Sequence, residues 1–360
     1  MRIPALLAAA ALALACGTDS PAPPPVAAGW SLLSGSPLAG EGKHHMDAWF
    51  LSADTGFMVD IDGKLWRTQD GGATWELRNV TTSVLMRAVA FVSPTHGFIG
   101  NLNSTGGVPT PDYALFETTD GGATIHNITS RISGPIPVGV CGMWALDDST
   151  VFAVGRWSGP AVFLRTRDAG ATWTSRSLAP LVTGIIDVRF TDAMHGIIVG
   201  GDGVGITDSA QATSHTVILG TTDGGDSWHV LFRSSEPGTW AWKISFPSDS
   251  VGYVGEQGPN PAGYVVKTTD GGATWVEYIT GTPGDFEGIG FAAENVGWVA
   301  NDSATYETDD GALSWYRVNL GADHAVEDVN RFRMLPGATG YALGKRVYKY
   351  SGLLSARRAR

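Results

Sequence analysis

Along the chain one hydrophobic pattern keeps returning: a short strand of alternating apolar and polar residues, a polar turn, then a more continuously apolar strand. Its seven copies read AWFLSADTGFMV, AVAFVSPTHGFIG, MWALDDSTVFAVG, DVRFTDAMHGIIVG, KISFPSDSVGYVG, GIGFAAENVGWVA and FRMLPGATGYALG. Alternation with a period of two predicts β-strands, and the turn between the two halves predicts a hairpin. After each of the first six copies comes a second repeat: TQDGGATW, TTDGGATI, TRDAGATW, TTDGGDSW, TTDGGATW and TDDGALSW. Its aspartates, Asp70, Asp120, Asp168, Asp223, Asp270 and Asp310, are 50, 48, 55, 47 and 40 residues apart. That is the period of one four-stranded propeller blade.

The seventh copy runs on into KRVYKYSG and ends without the aspartate turn, so it lacks an outer strand. GWSLLSG at 29–35 resembles the strand after each turn, as in TWELRNV, with Trp30 in the place of Trp75. The expected fold is all-β: a seven-bladed β-propeller of four-stranded antiparallel blades over 29–352, its last blade closed by the N-terminal strand. Closure of this kind removes exposed sheet edges.

Composition agrees, with 48 Gly and 13 Trp in 360 residues and only 16% charged, too few charges for long solvated helices. In each aspartate turn the Asp and the Thr or Ser can bond turn amides, glycine supplies positive φ, and Trp anchors the following strand. These turns resemble the Asp-box, or bacterial neuraminidase repeat, of sialidases, sortilin-type receptors and photosystem II assembly-factor propellers. The resemblance implies that the six aspartates are structural. A lone carboxylate per turn also gives no convergent oxygen cage, so neither a metal nor another cofactor is expected. Regular units, and a second strand that runs through the third directly into the turn in GFMVDIDGKLWRTQDGGATW, look most like the assembly-factor type over nearly all of 29–350. That likeness implies a non-catalytic scaffold binding protein through an arginine-rich surface, whereas the arginines here are scattered.

MRIPALLAAAALALAC combines Arg2, an apolar run over 5–15 and small residues before Cys16. The run is too short to cross a bilayer and reads as an export signal over 1–15. ALAC resembles the lipobox of bacterial lipoproteins, which implies cleavage before Cys16 and its lipidation. Residues 16–28 are Pro-rich and suit a tether, and 353–360 form a basic tail. The expected setting is therefore the bacterial cell envelope, with the chain exported, monomeric and held to the membrane by its lipid. Cys141 is the one other cysteine, which leaves the domain without a disulfide. A net charge of −11 disfavours nucleic acid as a partner.

With the strands of each blade lettered A to D from the inside, the A–B and C–D turns share one face and the B–C loops lie on the other. The three longest insertions, 101–113, 201–215 and 256–264, are all B–C loops, so that face is the expected binding side. Residues opening the A strands should line the channel mouth there: Asp47, Arg87, Asp187, Trp242, Lys243 and Glu287, preceded by Trp240. Arg156, Trp157 and Glu256, at B-strand ends, are further ligand-binding candidates. His96 and His195, near A–B turns, replace Thr or Val of other copies and read as structural.

Sialidase chemistry implies three arginines, a Tyr–Glu pair and an Asp acid/base. Arg87, Arg156, Arg189 and Glu287 are present, but nothing aligns them as a set. The family's Phe/Tyr-Arg-Ile-Pro motif is absent from the propeller, since Arg2-Ile3-Pro4 lies in the export signal. The expected function is capture of a protein or glycan in the envelope without catalysis. The alternative is a glycosidase that draws two carboxylates, roughly 5 to 10 Å apart, from Asp47, Asp187 and Glu287.

Overall fold

The structure is a computed structural model that describes residues 24–352 except 26, 42, 82, 104–110, 204–212, 260–261, 323–326 and 338. The export signal, Cys16, most of the tether, the basic tail and much of the inserted loops lie outside the described residues. Seven antiparallel sheets succeed one another along the chain. Blade 1 consists of His45–Phe50, Gly56–Asp60, Lys64–Thr68 and Glu76–Val80. Blades 2 to 6 repeat this order, with inner strands Met86–Phe91, Gly142–Ala145, Gly184–Phe190, Trp240–Ser245 and Gly288–Ala293. Blade 3 departs from four strands, because Ile132–Ser133 adds in parallel outside Trp173–Ser177.

Blade 7 is built from both ends of the propeller. Arg331–Leu335, Thr339–Leu343 and Val347–Ser351 form its inner three strands, and Trp30–Leu32 pairs antiparallel with the last of them, Trp30 opposite Tyr350. The Trp30 ring stands edge-on to Trp298 of blade 6 at 5.1 Å and to Phe332 at 5.7 Å, so the closing strand also ties blade 7 to its neighbour. Docking begins before that strand: the Ala27 amide donates to the Asn319 carbonyl, and the Asn319 amide donates to Pro25. The end of the segment read as a tether thus lies on blade 6.

A close contact sets the packing inside most blades. The first glycine of strand B sits against an aromatic at or beside the end of strand A, so a Cβ on Gly56, Gly97, Gly196, Gly252 or Gly297 would come within 2.4–2.5 Å of the Phe50, Phe91, Phe190, Phe246 or Phe291 ring. The other face of that ring meets the preceding blade, as in the stacks Phe57–Phe91 at 3.4 Å and Phe152–Phe190 at 3.5 Å.

The six aspartate turns are alike in their bonding. In the first, Thr68 Oγ1 accepts from the Gly72 amide and donates to Asp70, whose carboxylate also accepts from the Thr74 amide and hydroxyl at 2.8 and 2.6 Å. The same bonds recur around Asp120, Asp168, Asp223, Asp270 and Asp310. Hydrogen bonds from Thr74 hold the Asp70 carboxyl below its ordinary range. These carboxylates are occupied by hydrogen bonds within their own turns.

Trp30→Ala should destabilise the propeller by about 3 to 5 kcal/mol, because it removes a buried ring from a three-aromatic contact at the closure. Urea unfolding followed by circular dichroism would measure the loss. A change below about 1 kcal/mol would mean that the N-terminal strand does not close the ring.

Candidate functional site

Three of the candidate residues occupy equivalent places in the ring. Asp47, Asp187 and Lys243 each stand three residues before the aromatic at or just past the end of an inner strand, Phe50, Phe190 or Phe246, and Arg331 holds the same place before Met334. Their side chains come together in the channel. Arg331 reaches across it, its Nε donating to Asp47 at 2.9 Å and its two terminal nitrogens to the Asp187 carboxylate at 2.8 and 3.1 Å. Arg333 donates to the same Asp47 carboxylate at 2.9 and 3.2 Å and to the Ala48 carbonyl at 2.7 Å. Arg87 donates to the Met46 carbonyl. Each aspartate also accepts from the next blade, Asp47 from the Val89 amide and Asp187 from the Ile244 amide.

All of this cluster but the partly exposed Arg333 is closed to solvent: Asp47 and Lys243 are 0% exposed, Arg331 2%, Arg87 and Asp187 3%. Burial alone would raise both carboxyls, yet the Arg331 charge and hydrogen bonds overcome it, lowering Asp47 and holding Asp187 at about 2. The Lys243 ammonium has no hydrogen-bond partner among the described residues, and burial, then the Arg87 and Arg331 charges, push it well below its ordinary range.

The expected channel mouth is therefore shut. Trp240 and Trp242 pack with Leu102, Cys141 and Ile186 in an apolar cluster, with Trp157 against its edge, and Trp242 donates its indole N–H to Gln257. Burial also pushes the Cys141 thiol up. Of the remaining candidates, Arg156 is half-buried and donates to the Leu102 and Asn103 carbonyls. Glu287 is half-buried and accepts from Asn330. Glu256 lies apart from the channel cluster, fully buried with Glu277 and Thr216 beside it; burial, then the Glu277 charge, raise its carboxyl well above the ordinary range.

Sequence reasoning thus grouped Asp47, Asp187 and Lys243, which do meet, but placed them at an open mouth rather than in a buried cluster. It missed Arg331 and Arg333, which organise them. Their signal was the RFR of the seventh copy, aligned three and one residues before Met334 as Asp47 and Trp49 precede Phe50. His96 bonds Glu117 inside its own blade, in keeping with the structural reading. His195 instead helps line a cavity of about 410 Å³ on the aspartate-turn face. Among the described residues no group of three His, Cys, Asp or Glu side chains could hold a metal ion.

Ring and interior together define a closed seven-bladed propeller whose channel is filled by an ion network rather than left as a passage. No protein-family model matches the chain. Over 153 residues, 41% of its length, it is 30% identical to the photosystem II assembly lipoprotein Ycf48 of Synechococcus sp. strain CC9902, and the match spans 40% of that relative. A solved structure of Ycf48 bound to D1 peptide has the same fold, with a TM-score of 0.64 at 16% identity over 92% of this chain and 100% of that one. Ycf48 from Cyanidioschyzon merolae gives 0.63 at 19% identity over 90% and 98%. A GH74 xyloglucanase from Xanthomonas campestris gives 0.58 at 15% over 89% of this chain and 53% of the enzyme.

Two substitutions test the buried charges. Arg331→Met should cost about 3 to 5 kcal/mol near neutral pH, since it leaves the buried Asp187 carboxylate without its guanidinium and Asp47 with Arg333 alone. Asp47 and Asp187 lie below their unfolded values, so the wild-type network contributes stability above about pH 4 that is lost as pH falls toward their folded values. In Arg331→Met the sign reverses, and urea midpoints should fall as pH rises through about 4 to 6. Glu256→Gln acts the other way. The folded carboxyl lies above the unfolded one, so stability is lost as pH rises beyond about 4.3, and the amide should raise the thermal midpoint by about 2 to 4 °C at pH 7 with little change at pH 4. Equal shifts at both pH values would contradict it.

Proposed function

We propose that this chain is an exported, lipid-anchored propeller that acts as a non-catalytic scaffold for a protein in the cell envelope. The observation that carries the reading is the 153-residue stretch shared at 30% identity with an assembly lipoprotein. A propeller of the same fold, Ycf48, has been solved with a peptide, D1, bound to it, which favours a protein over a glycan as the partner. MRIPALLAAAALALAC supplies the expected export signal and Cys16 the lipidated residue. The inserted B–C loops, whose described ends meet the Trp240–Trp242 cluster through Leu102 and Gln257, are the face assigned to the partner, with Arg156, Trp157 and Glu287 the candidates that keep some exposure. Arg87, Asp47, Asp187 and Lys243 support that face from beneath.

The glycosidase alternative draws on the fold likeness to a xyloglucanase. It needs a carboxylic acid able to give up a proton near neutral pH and a carboxylate facing it. Asp47 and Asp187 fit that need poorly, because both are buried ligands of Arg331. Glu287 would have to act without them.

In cells fed an alkyne-tagged fatty acid, the wild-type chain should take up label and sediment with membranes, and Cys16→Ser should lose both properties. Label retained by Cys16→Ser would sink the anchor. The full-length protein with a photo-cross-linker at Tyr113, beside the first inserted loop, should form a discrete adduct with an envelope protein and leave a panel of chromogenic glycosides intact. Glycoside turnover that Glu287→Gln abolishes would replace the scaffold reading with the enzymatic one.

A further inference from the structure

On the aspartate-turn face the seams between blades follow a rule with one exception. At five of the six turns a cation from the preceding blade donates to a turn glycine carbonyl: Arg78 to Gly121 at 3.0 Å, Arg131 to Gly170 at 2.9 Å, Arg165 to Gly224 at 2.6 Å, Lys267 to Gly311 at 2.9 Å and Lys349 to Gly71 at 2.9 Å. Beneath Lys267 and Lys349 an aromatic of strand B stacks on the phenylalanine of the next blade, Tyr253 on Phe291 at 3.5 Å and Tyr341 on Phe50 at 3.9 Å. In the ladder these pairs stand opposite each other, Tyr253 with Lys267 and Tyr341 with Lys349.

Between blades 4 and 5 both members are truncated. The paired residues there are Ile197 and Gly220, and among the described residues no hydrogen bond reaches the Gly271 carbonyl. What remains is the cavity of about 410 Å³, lined by Ile197, Gly220, Leu231, Phe246, Gly271 and Arg189. Most of that wall is apolar. Arg189 is its one guanidinium, held 5.0 Å from the Phe246 ring centroid and 5.4 Å from that of Trp144. It has no hydrogen-bond or ion-pair partner among the described residues, and its Nε is buried. Burial lowers Arg189 despite the charges of Asp249 and Asp187, so its positive charge is left undercompensated.

A half-open cavity with largely apolar walls, a donor-only guanidinium and a turn carbonyl that no described donor reaches has a definable complement. A flat apolar body replaces the missing ring. An anionic oxygen pair takes the guanidinium, which matches carboxylate geometry with parallel N–H bonds. A hydroxyl or amine donates to the Gly271 carbonyl, as Lys267 does to Gly311 in the next seam. We infer that the seam between blades 4 and 5 is a binding site for a small aromatic carboxylate bearing a hydrogen-bond donor, recognised by Arg189 and the Gly271 carbonyl. The site lies on the face opposite the one assigned to the protein partner and does not depend on that assignment.

The test is titration of the full-length protein with 4-hydroxybenzoate, followed by calorimetry and by saturation-transfer NMR. Binding should saturate below about 10 mM, and 4-hydroxybenzamide, which lacks the charge, should bind at least about tenfold more weakly, a difference of about 1.4 kcal/mol. Ile197→Tyr installs the ring that blades 5 and 7 carry at this place, so the variant should keep the wild-type thermal midpoint or exceed it while losing the ligand. No binding by the wild type, equal binding of acid and amide, or unchanged binding by a folded Ile197→Tyr would each overturn the site.

Discussion

The guanidinium of Arg331 is the interaction on which the interior depends. It starts from blade 7, the blade assembled from the two ends of the ring, and it fastens to Asp47 of blade 1 and Asp187 of blade 4. A propeller's inner strands converge on a shaft that must be filled or flooded. Here it is filled with charge, which is costly to desolvate and repays that cost only when donors and acceptors match. Arg331 provides that match by dividing its donors between two carboxylates, and each carboxylate then accepts a backbone amide from the following blade. Lys243 shows the other side of the same constraint: burial, then the Arg87 and Arg331 charges, drive its amine toward the neutral form.

Outside the shaft the blades are joined by a different device, repeated rather than unique. An aspartate turn saturates its own carboxylate and leaves one glycine carbonyl turned to the preceding blade, and a lysine or arginine there completes it. Each such bond is modest, about 1 to 2 kcal/mol when charge-assisted. Their collective effect is to fix each blade against its neighbour at the rim while the stacked aromatics fix it nearer the shaft. A seam that lacks both the ring and the cation can then stay open without disturbing the ring, because six other seams hold the geometry.

Much of this was legible in the chain. Seven strand–turn–strand copies against six aspartate turns leave one strand owing, and GWSLLSG supplies it through Trp30, as the pairing with Tyr350 shows. The fifth strand of blade 3 was not legible, since Ile132 and Ser133 are too few to carry a period. Equivalence between copies pointed to Asp47, Asp187 and Lys243, but not to their burial. A charged residue opening a strand reads as a rim residue unless its counter-charge is known. That counter-charge comes from Arg331, 284 residues after Asp47, and no local pattern links the two. The same register, carried one step further, would have set Gly220 beside Lys267 and Ile197 beside Tyr253.

Regularity is what makes such departures interpretable. In an irregular protein a small residue beside a cavity says little, since nothing shows what might have stood there. In a ring of near-equivalent blades the other copies act as internal controls: they show that the seam can hold an aromatic ring and a cationic donor on the same backbone. Ile197 and Gly220 therefore mark a place where the fold's ordinary filling is missing, and Arg189 marks a charge there that Asp249 and Asp187 offset only in part. In the shaft, among the described residues, the Asp47 and Asp187 carboxylates are already held by Arg331 and Arg333, and the unpartnered Lys243 amine is fully buried beside them, so the physical case for small-molecule recognition rests on the seam.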